Sequence, residues 1–215
     1  SPLAARRFTE KFGVTVLNGY GQAEIGEVIG WTAADAREHP EKLGAVGKPH
    51  PGVEIKVVGL DGWVANPDDP GELLVRPPSR AAGYADGTEL DERIDEDGYV
   101  RTGDVARIDP EGFVWIEGRL GDVINRGGHK VFPAQVEEVL LLSPDVDEAA
   151  VVAFPDERLG EVPVAFVVGN GTEKSLEDLC RQYLVPYKVP VAFHFVQSLP
   201  RNEAGKLLRQ QVLDE

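Results

Sequence analysis

The chain has 215 residues, 42% of them hydrophobic, which is enough apolar mass for one large or two small packed domains and excludes a disordered chain. Its formal net charge of -15 argues against a basic surface for nucleic acid, so no nucleic-acid partner is expected, but local sites can still take small anions. No apolar run approaches the ~20 residues of a membrane span, and no basic start leads into an apolar signal segment.

In chain order, Phe8 to Phe12 reads as the end of an amphipathic helix stopped by Gly13, and Val14 to Leu17 as a short buried strand. NGYGQAEIG at 18–26 reads as a glycine-punctuated loop. From 44 to 117 short β-type runs, VEIKVV (53–58), ELLVR (72–76), YVRTGDVARI (99–108) and FVWIE (113–117), alternate with the turn clusters LDG, NPDDPG, DEDG and DPEG. This predicts an antiparallel sheet or a small barrel-like subdomain. The acidic run 86–97 is read as a solvated loop.

GRLGDVINRGGHK at 118–130 is too rich in glycine for a helix interior and too charged for core. Beyond it, PAQVEEVLLL (133–142) predicts a helix with Pro at its start, ended by Pro144. EAAVVAF (148–154) and VPVAFVV (162–168) predict buried strands. Ser175 with Asp178 resembles a capping box for a helix whose Leu176, Leu179, Cys180 and Tyr183 share one face. VAFHFV (191–196) predicts another strand, and the polar loop PRNEAGK (200–206) leads to a last short helix at 206–213. Cys180 has no partner cysteine; it reads as a small core hydrophobe in a reducing, cytoplasmic setting. The absence of methionine and the start at Ser1 fit a piece of a longer polypeptide.

Several stretches can carry chemistry. In Tyr20-Gly21-Gln22-Ala23-Glu24 an aromatic can stack on a base and a carboxylate can hold Mg²⁺; the same residues fit a tight turn with a surface Glu. Asp104, at the glycine turn of RTGD (101–104), can accept both hydroxyls of a ribose or cap its own turn. Arg119, Arg126 and Lys130 lie where glycine backbone can approach a phosphate, or in a plain interdomain linker. Lys206, on a glycine-flanked loop, suits a mobile charge that meets a phosphate, or a solvated lysine. His129 and His194 lack metal-ligand spacing, and Ser79 and Ser143 lack a nucleophile's partners.

Taken in order, YGQAE (20–24), GELLVR (71–76), YVRTGD (99–104), GRLGDVINRGG (118–128) and PRNEAGKLLR (200–209) resemble the acyl-adenylate-forming superfamily of acyl- and aryl-CoA synthetases, peptide-synthetase adenylation domains and luciferases. YKVP (187–190) and VFPAQVEEVL (131–140) look more like a CoA synthetase. The resemblance implies an α+β architecture: 1–117 as the β-rich end of the large AMP-binding domain, 118–121 as a hinge and 122–215 as a small mobile C-terminal domain. It implies that a carboxylic acid and ATP give an acyl-adenylate, from which coenzyme A displaces AMP. Tyr20, with Gly21 beside it, would lie near adenine, Glu24 would hold Mg²⁺, and Asp104 would bind the ribose hydroxyls. Arg119 would contact ribose or phosphate, Lys206 would reach the carboxylate and α-phosphate, and Gly127 and Gly128 would line the path of the CoA arm.

Three positions depart from the pattern. Ala23 stands where Thr or Ser is usual, Pro77 where Gly is common, and Gly121 at the hinge where Asp or Lys is usual. A Ser/Thr/Gly-rich phosphate loop followed by Lys does not occur in these residues. The expectation is therefore an inactive part of an acid–CoA ligase, completed by an N-terminal part of the same enzyme. The alternatives are an adenylation domain that loads a carrier protein and a non-catalytic nucleotide- or CoA-binding module.

Overall fold

The computed structural model describes residues 2–59, 62–83 and 90–214. The chain forms two compact units, Ser1–Leu120 and Gly121–Glu215.

The first unit opens with helix α1 (Pro2–Phe12). Gly13 ends it in the left-handed region, φ 66°, with its N–H on the carbonyl of Thr9. Val14 to Leu17 then departs from the expected buried strand. It pairs with no strand among the described residues, and Val14 and Leu17 are exposed. An apolar run stays a strand only where a neighbour takes its backbone hydrogen bonds.

The glycine-punctuated stretch is not a loop but a hairpin of β1 (Tyr20–Gln22) and β2 (Gly26–Gly30). Its glycines are what make the pairing possible. A Cβ on Gly21 would lie 2.2 Å from the carbonyl oxygen of Gly26, and Gly26 itself has φ 68°. β3 (Lys48–Pro49) completes this sheet beyond helix α2 (Ala33–Glu38), which Thr32 caps.

The β-type runs form the expected antiparallel sheet: β4 (Glu54–Gly59), β5 (Gly71–Arg76), β6 (Val100–Ile108) and β7 (Val114–Arg119), paired in chain order. Among the described residues this sheet stays open and closes no barrel. Val28, Ile29, Val57, Leu73, Val75, Val100, Ala106 and Val114 form its core. Burying each Val, Leu or Ile side chain here contributes about 1.5–3 kcal/mol. The acidic run is only partly a solvated loop. Residues 86–89 lie outside the described residues, but Leu90 is buried and Asp91–Arg93 form a 3-10 turn.

In the second unit β8 (Ile124–Arg126) and β9 (His129–Val131) form a hairpin, followed by helix α3 (Pro133–Leu140). The long strands β10 (Val146–Asp156) and β11 (Gly160–Gly169) pair antiparallel, and β12 (Ala192–Phe195) runs parallel to β11. Side chains alternate across β10 and β11 as the period of two requires. Val151, Ala165 and Val167 pack on one face with Val136, Leu140, Leu176 and Cys180, the inner residues of α3 and of helix α4 (Glu173–Tyr183). Ala150, Val152, Val164 and Phe166 pack on the other face with Leu199 and Val212.

Three local expectations are corrected here. The capping box of α4 is made by Thr172 and Ser175, whose side chains exchange bonds with each other's backbone N–H at 3.1 and 3.2 Å. Ser175 is therefore in the first turn, and Asp178 pairs with Lys174 instead. Tyr183 is exposed at the last residue of α4 rather than packed. The last helix is a 3-10 helix, Arg209–Asp214, that begins after Lys206. Cys180 is fully buried as expected, and burial pushes its thiol up to about 11.

Candidate functional site

In the first unit the functional candidates converge on Asp104. The bulged pairing of β5 with β6 explains its position. Leu74 pairs with Arg101 and Glu72 with Val105, so Thr102, Gly103 and Asp104 together oppose Leu73. Gly103 takes φ 70°, the Thr102 hydroxyl donates to the Leu73 carbonyl at 2.7 Å, and the Asp104 N–H donates to that hydroxyl at 3.1 Å. The bulge turns the Asp104 carboxylate toward the β1–β2 hairpin.

The carboxylate is buried and well partnered. Its Oδ2 accepts from the Tyr20 hydroxyl at 2.6 Å and from Gln22 Nε2 at 2.9 Å. Its Oδ1 meets Arg119 Nε at 2.9 Å, and the two residues are register partners across β6 and β7. Burial and the bond to Asp104 push the Tyr20 phenol well above its ordinary range, so it stays protonated and donates. Arg119 is more than half exposed at the strand end and turns its free edge to solvent.

Glu24 lies in the hairpin connection, where its carbonyl accepts the N–H of Ala81. Its side chain is paired with Arg93, Nη1 to Oε1 at 2.8 Å. Arg93 also donates to Gln22 Oε1 and to the carbonyls of Arg101 and Thr102. Arg93 and Gln22 thus tie the YGQAE and RTGD segments into one cluster with Tyr20, Glu24, Asp104 and Arg119. Neither was singled out from the sequence. Gln22 stood inside a motif already quoted, whereas Arg93 sat in a run read as solvent-facing. Gly19, Tyr20, Gly21, Gln22 and Ala23 line an open depression beside this cluster.

In the second unit Gly127 and Gly128 form the two-residue turn of the β8–β9 hairpin, with φ 57° and 88°. Two positive φ values in succession define a type I′ turn, which accounts for both glycines. A Cβ on Gly127 would also lie 3.1 Å from Leu159 Cδ2. Gly121 belongs to the 3-10 turn Leu120–Asp122, with open space where its Cβ would be. Arg126 donates to the carbonyls of Tyr187 and Val189, and His129 stacks on Tyr187 at 4.5 Å, so both serve packing in this unit. Among the described residues no group of three or more His, Cys, Asp or Glu gathers as a metal site.

Lys206 is exposed on a tight turn. Its N–H donates to Asn202 Oδ1 and its carbonyl accepts from the Asn202 N–H, both at 2.9 Å. Gly205, φ 76°, closes the turn.

The first unit thus holds a buried, three-fold partnered carboxylate on a β-bulge beside the β1–β2 hairpin, and the second unit, by itself, carries an exposed lysine on a polar turn. The chain belongs to the acyl-adenylate-forming superfamily: residues 1–85 match the model of the AMP-binding enzyme family and residues 135–206 that of the AMP-binding enzyme C-terminal domain. Among the curated relatives it is 38% identical over 202 residues to 2-succinylbenzoate--CoA ligase of Bacillus cereus (strain AH820), a match that covers 93% of this chain and 41% of that protein. Among solved structures it is similar to the o-succinylbenzoate CoA synthetase (MenE) of Bacillus subtilis in complex with the acyl-adenylate intermediate OSB-AMP, with a TM-score of 0.88 and 35% identity over 100% of this chain and 44% of that one. It is similar to the same enzyme in complex with ATP and magnesium ion, with a TM-score of 0.87, 35% identity and the same coverage. The chain therefore spans about two-fifths of the length of the relatives it matches. Among the described residues no helix is long and apolar enough to cross a membrane.

Proposed function

We propose that this chain supplies the nucleotide-ribose site and the mobile lysine of an AMP-forming acid–CoA ligase. The observation that carries the reading is the convergence of Tyr20, Gln22 and Arg119 on the buried carboxylate of Asp104. A carboxylate held rigidly by three donors is pre-organised to accept hydroxyls at fixed positions. Its relatives' names add the acid, ATP and CoA, and the chain spans only about two-fifths of their length; in this reading an N-terminal part of the same enzyme would complete the acid pocket. A compartment such as the cytoplasm, where free thiols persist, fits the buried Cys180.

In this reading Asp104 binds the ribose hydroxyls, Tyr20 presents its ring beside the base, and Arg119 turns to ribose or phosphate. The donor set fits Mg²⁺, which takes one or two carboxylates and fills its other positions with phosphate oxygens and water. In this reading Glu24 would be that carboxylate; in the structure it is paired with Arg93, whose guanidinium would have to yield to the ion. Bound there, Mg²⁺ would neutralise charge on the triphosphate. Lys206 brings an ammonium to the carboxylate and the α-phosphate, where negative charge builds in the first half-reaction; one such donor is typically worth about 10²–10³ in rate. Gly121 lets the second unit reorient between half-reactions, and the Gly127–Gly128 turn offers a surface without side chains to the CoA arm.

The test is an assay of the full-length protein with ATP, Mg²⁺ and a panel of carboxylic acids that includes 2-succinylbenzoate. Acid-dependent release of AMP and pyrophosphate, with a thioester formed only when CoA is added, supports the proposal. Transfer to a carrier protein without transfer to CoA, or nucleotide binding without turnover for any acid, sinks it.

A further inference from the structure

The turn that carries Lys206 is tied down on both sides. Arg201, five residues before the lysine, donates from Nη1 to the Gly205 carbonyl at 2.8 Å and pairs through Nη2 with Glu148 on β10. Arg209, three residues after it, donates to the Val151 carbonyl, also on β10, at 2.9 Å. The same guanidinium forks onto Glu137 of α3, with Nη2 to Oε2 at 2.9 Å, and meets Asp122 through Nε at 3.0 Å. Glu137 in turn accepts the Val151 N–H at 2.8 Å. Leu199 and Val212, one on either side of the turn, are buried against the same sheet. The turn itself is exposed and polar; Leu207, beside the lysine, also packs on this cluster and bridges to Arg201, and the two arginines add polar ties from either side of the turn to β10.

We propose that Arg201 and Arg209 are positioning residues that clamp the Lys206 turn to β10, so that the ammonium moves with the second unit as a rigid arm. The proposal rests on the reading of Lys206 as the adenylation lysine. The physical case is pre-organisation: a lysine brings its own side-chain freedom, and a swinging backbone under it would spread the ammonium over many positions. The two clamps differ in kind. The Arg201–Glu148 pair is exposed, and such pairs add little stability. The Arg209 guanidinium is largely buried, and its planar fork serves Glu137, Asp122 and a carbonyl at once, which a lysine cannot reproduce. Loss of Arg201 should therefore loosen the turn without unfolding the unit.

Two measurements test this. In the 215-residue chain, amide hydrogen exchange at Lys206 should accelerate about tenfold in Arg201→Ala and in Arg209→Lys, while the amides of β11 keep their protection. In the full-length enzyme, Arg201→Ala should lower the acid-dependent pyrophosphate exchange rate about tenfold, with KM for acid and ATP within twofold and thioester formation from supplied acyl-adenylate unchanged. An unchanged Lys206 amide, or an equal fall in both half-reactions, overturns the clamp. If the wild type fails to exchange pyrophosphate, or Lys206→Ala exchanges it normally, the functional reading fails, and the amide exchange still decides the clamp.

Discussion

Replacing Asp104 separates the contributions of its three donors energetically. Its Oδ2 takes the two inner donors, Tyr20 and Gln22, and its Oδ1 takes Arg119. In Asp104→Ala the Tyr20 hydroxyl loses a charged acceptor, worth about 1.5–3 kcal/mol. Gln22 loses one as well but keeps the Thr102 carbonyl at 2.9 Å, so its share is smaller. The Arg119 pair, with the arginine 59% exposed, adds under about 1 kcal/mol. The sum is about 3 kcal/mol. Asp104→Asn can place its carbonyl oxygen where Oδ2 was and turn its amide toward Arg119, which swings into solvent. Only the charge is lost, at about 1 kcal/mol. Urea unfolding followed by tryptophan fluorescence is the assay, because Trp31, Trp63 and Trp115 all lie in the first unit. Equal losses for Ala and Asn, or a larger loss for Arg119→Ala than for Asp104→Ala, would refute the assignment of the energy to the two inner donors.

Acid should destabilise the same unit. Burial alone would raise the Asp109 carboxyl, but Lys42, Trp115 and the Phe113 amide outweigh it and hold it below 3.8; Lys56 and two backbone amides do the same for Asp95. Their stabilisation is present above the unfolded value and is lost as pH falls through the folded ones, so the urea midpoint should hold from pH 7 to 5 and fall below about 4. Asp109→Asn should flatten that fall. In the second unit, Gly128→Val forces a β-branched residue to φ 88° and should cost about 1–2 kcal/mol by thermal unfolding, whereas Gly121→Ala, with open space around it, should change stability by under about 0.5 kcal/mol. Gly121→Pro in the full-length enzyme should slow thioester formation more than adenylation, and equal losses in quenched-flow assays of the two steps would count against a hinge there.

The sheet strands were legible because each pairs with neighbours close in sequence and alternates its burial, as β4 to β7 and β10 with β11 do. The β1–β2 hairpin was not, because glycine normally breaks a strand and only the contact of Gly21 with the Gly26 carbonyl reveals why it is needed here. Val14 to Leu17 has strand composition, but composition does not supply a pairing partner. The cap of α4 was misplaced by three residues because Thr172 and Ser175 are both good caps, and the reciprocal bonds decide between them. The motif residues Tyr20, Asp104 and Arg119 were found by type and order, and the structure shows that they touch. Arg93 and Arg209 escaped notice because their carboxylate partners, Glu24 and Glu137, lie 69 and 72 residues away. Ion pairs at such separation leave no local signature in a sequence.

The central claim is that Lys206 serves adenylation and leaves thioester formation alone. The direct measurement is to assay Lys206→Ala in the full-length enzyme for both half-reactions, with the wild type beside it. Acid-dependent pyrophosphate exchange should fall by at least about 10², while CoA should still release AMP from supplied acyl-adenylate at close to the wild-type rate. Normal exchange, or loss of the thioester step as well, would contradict the account.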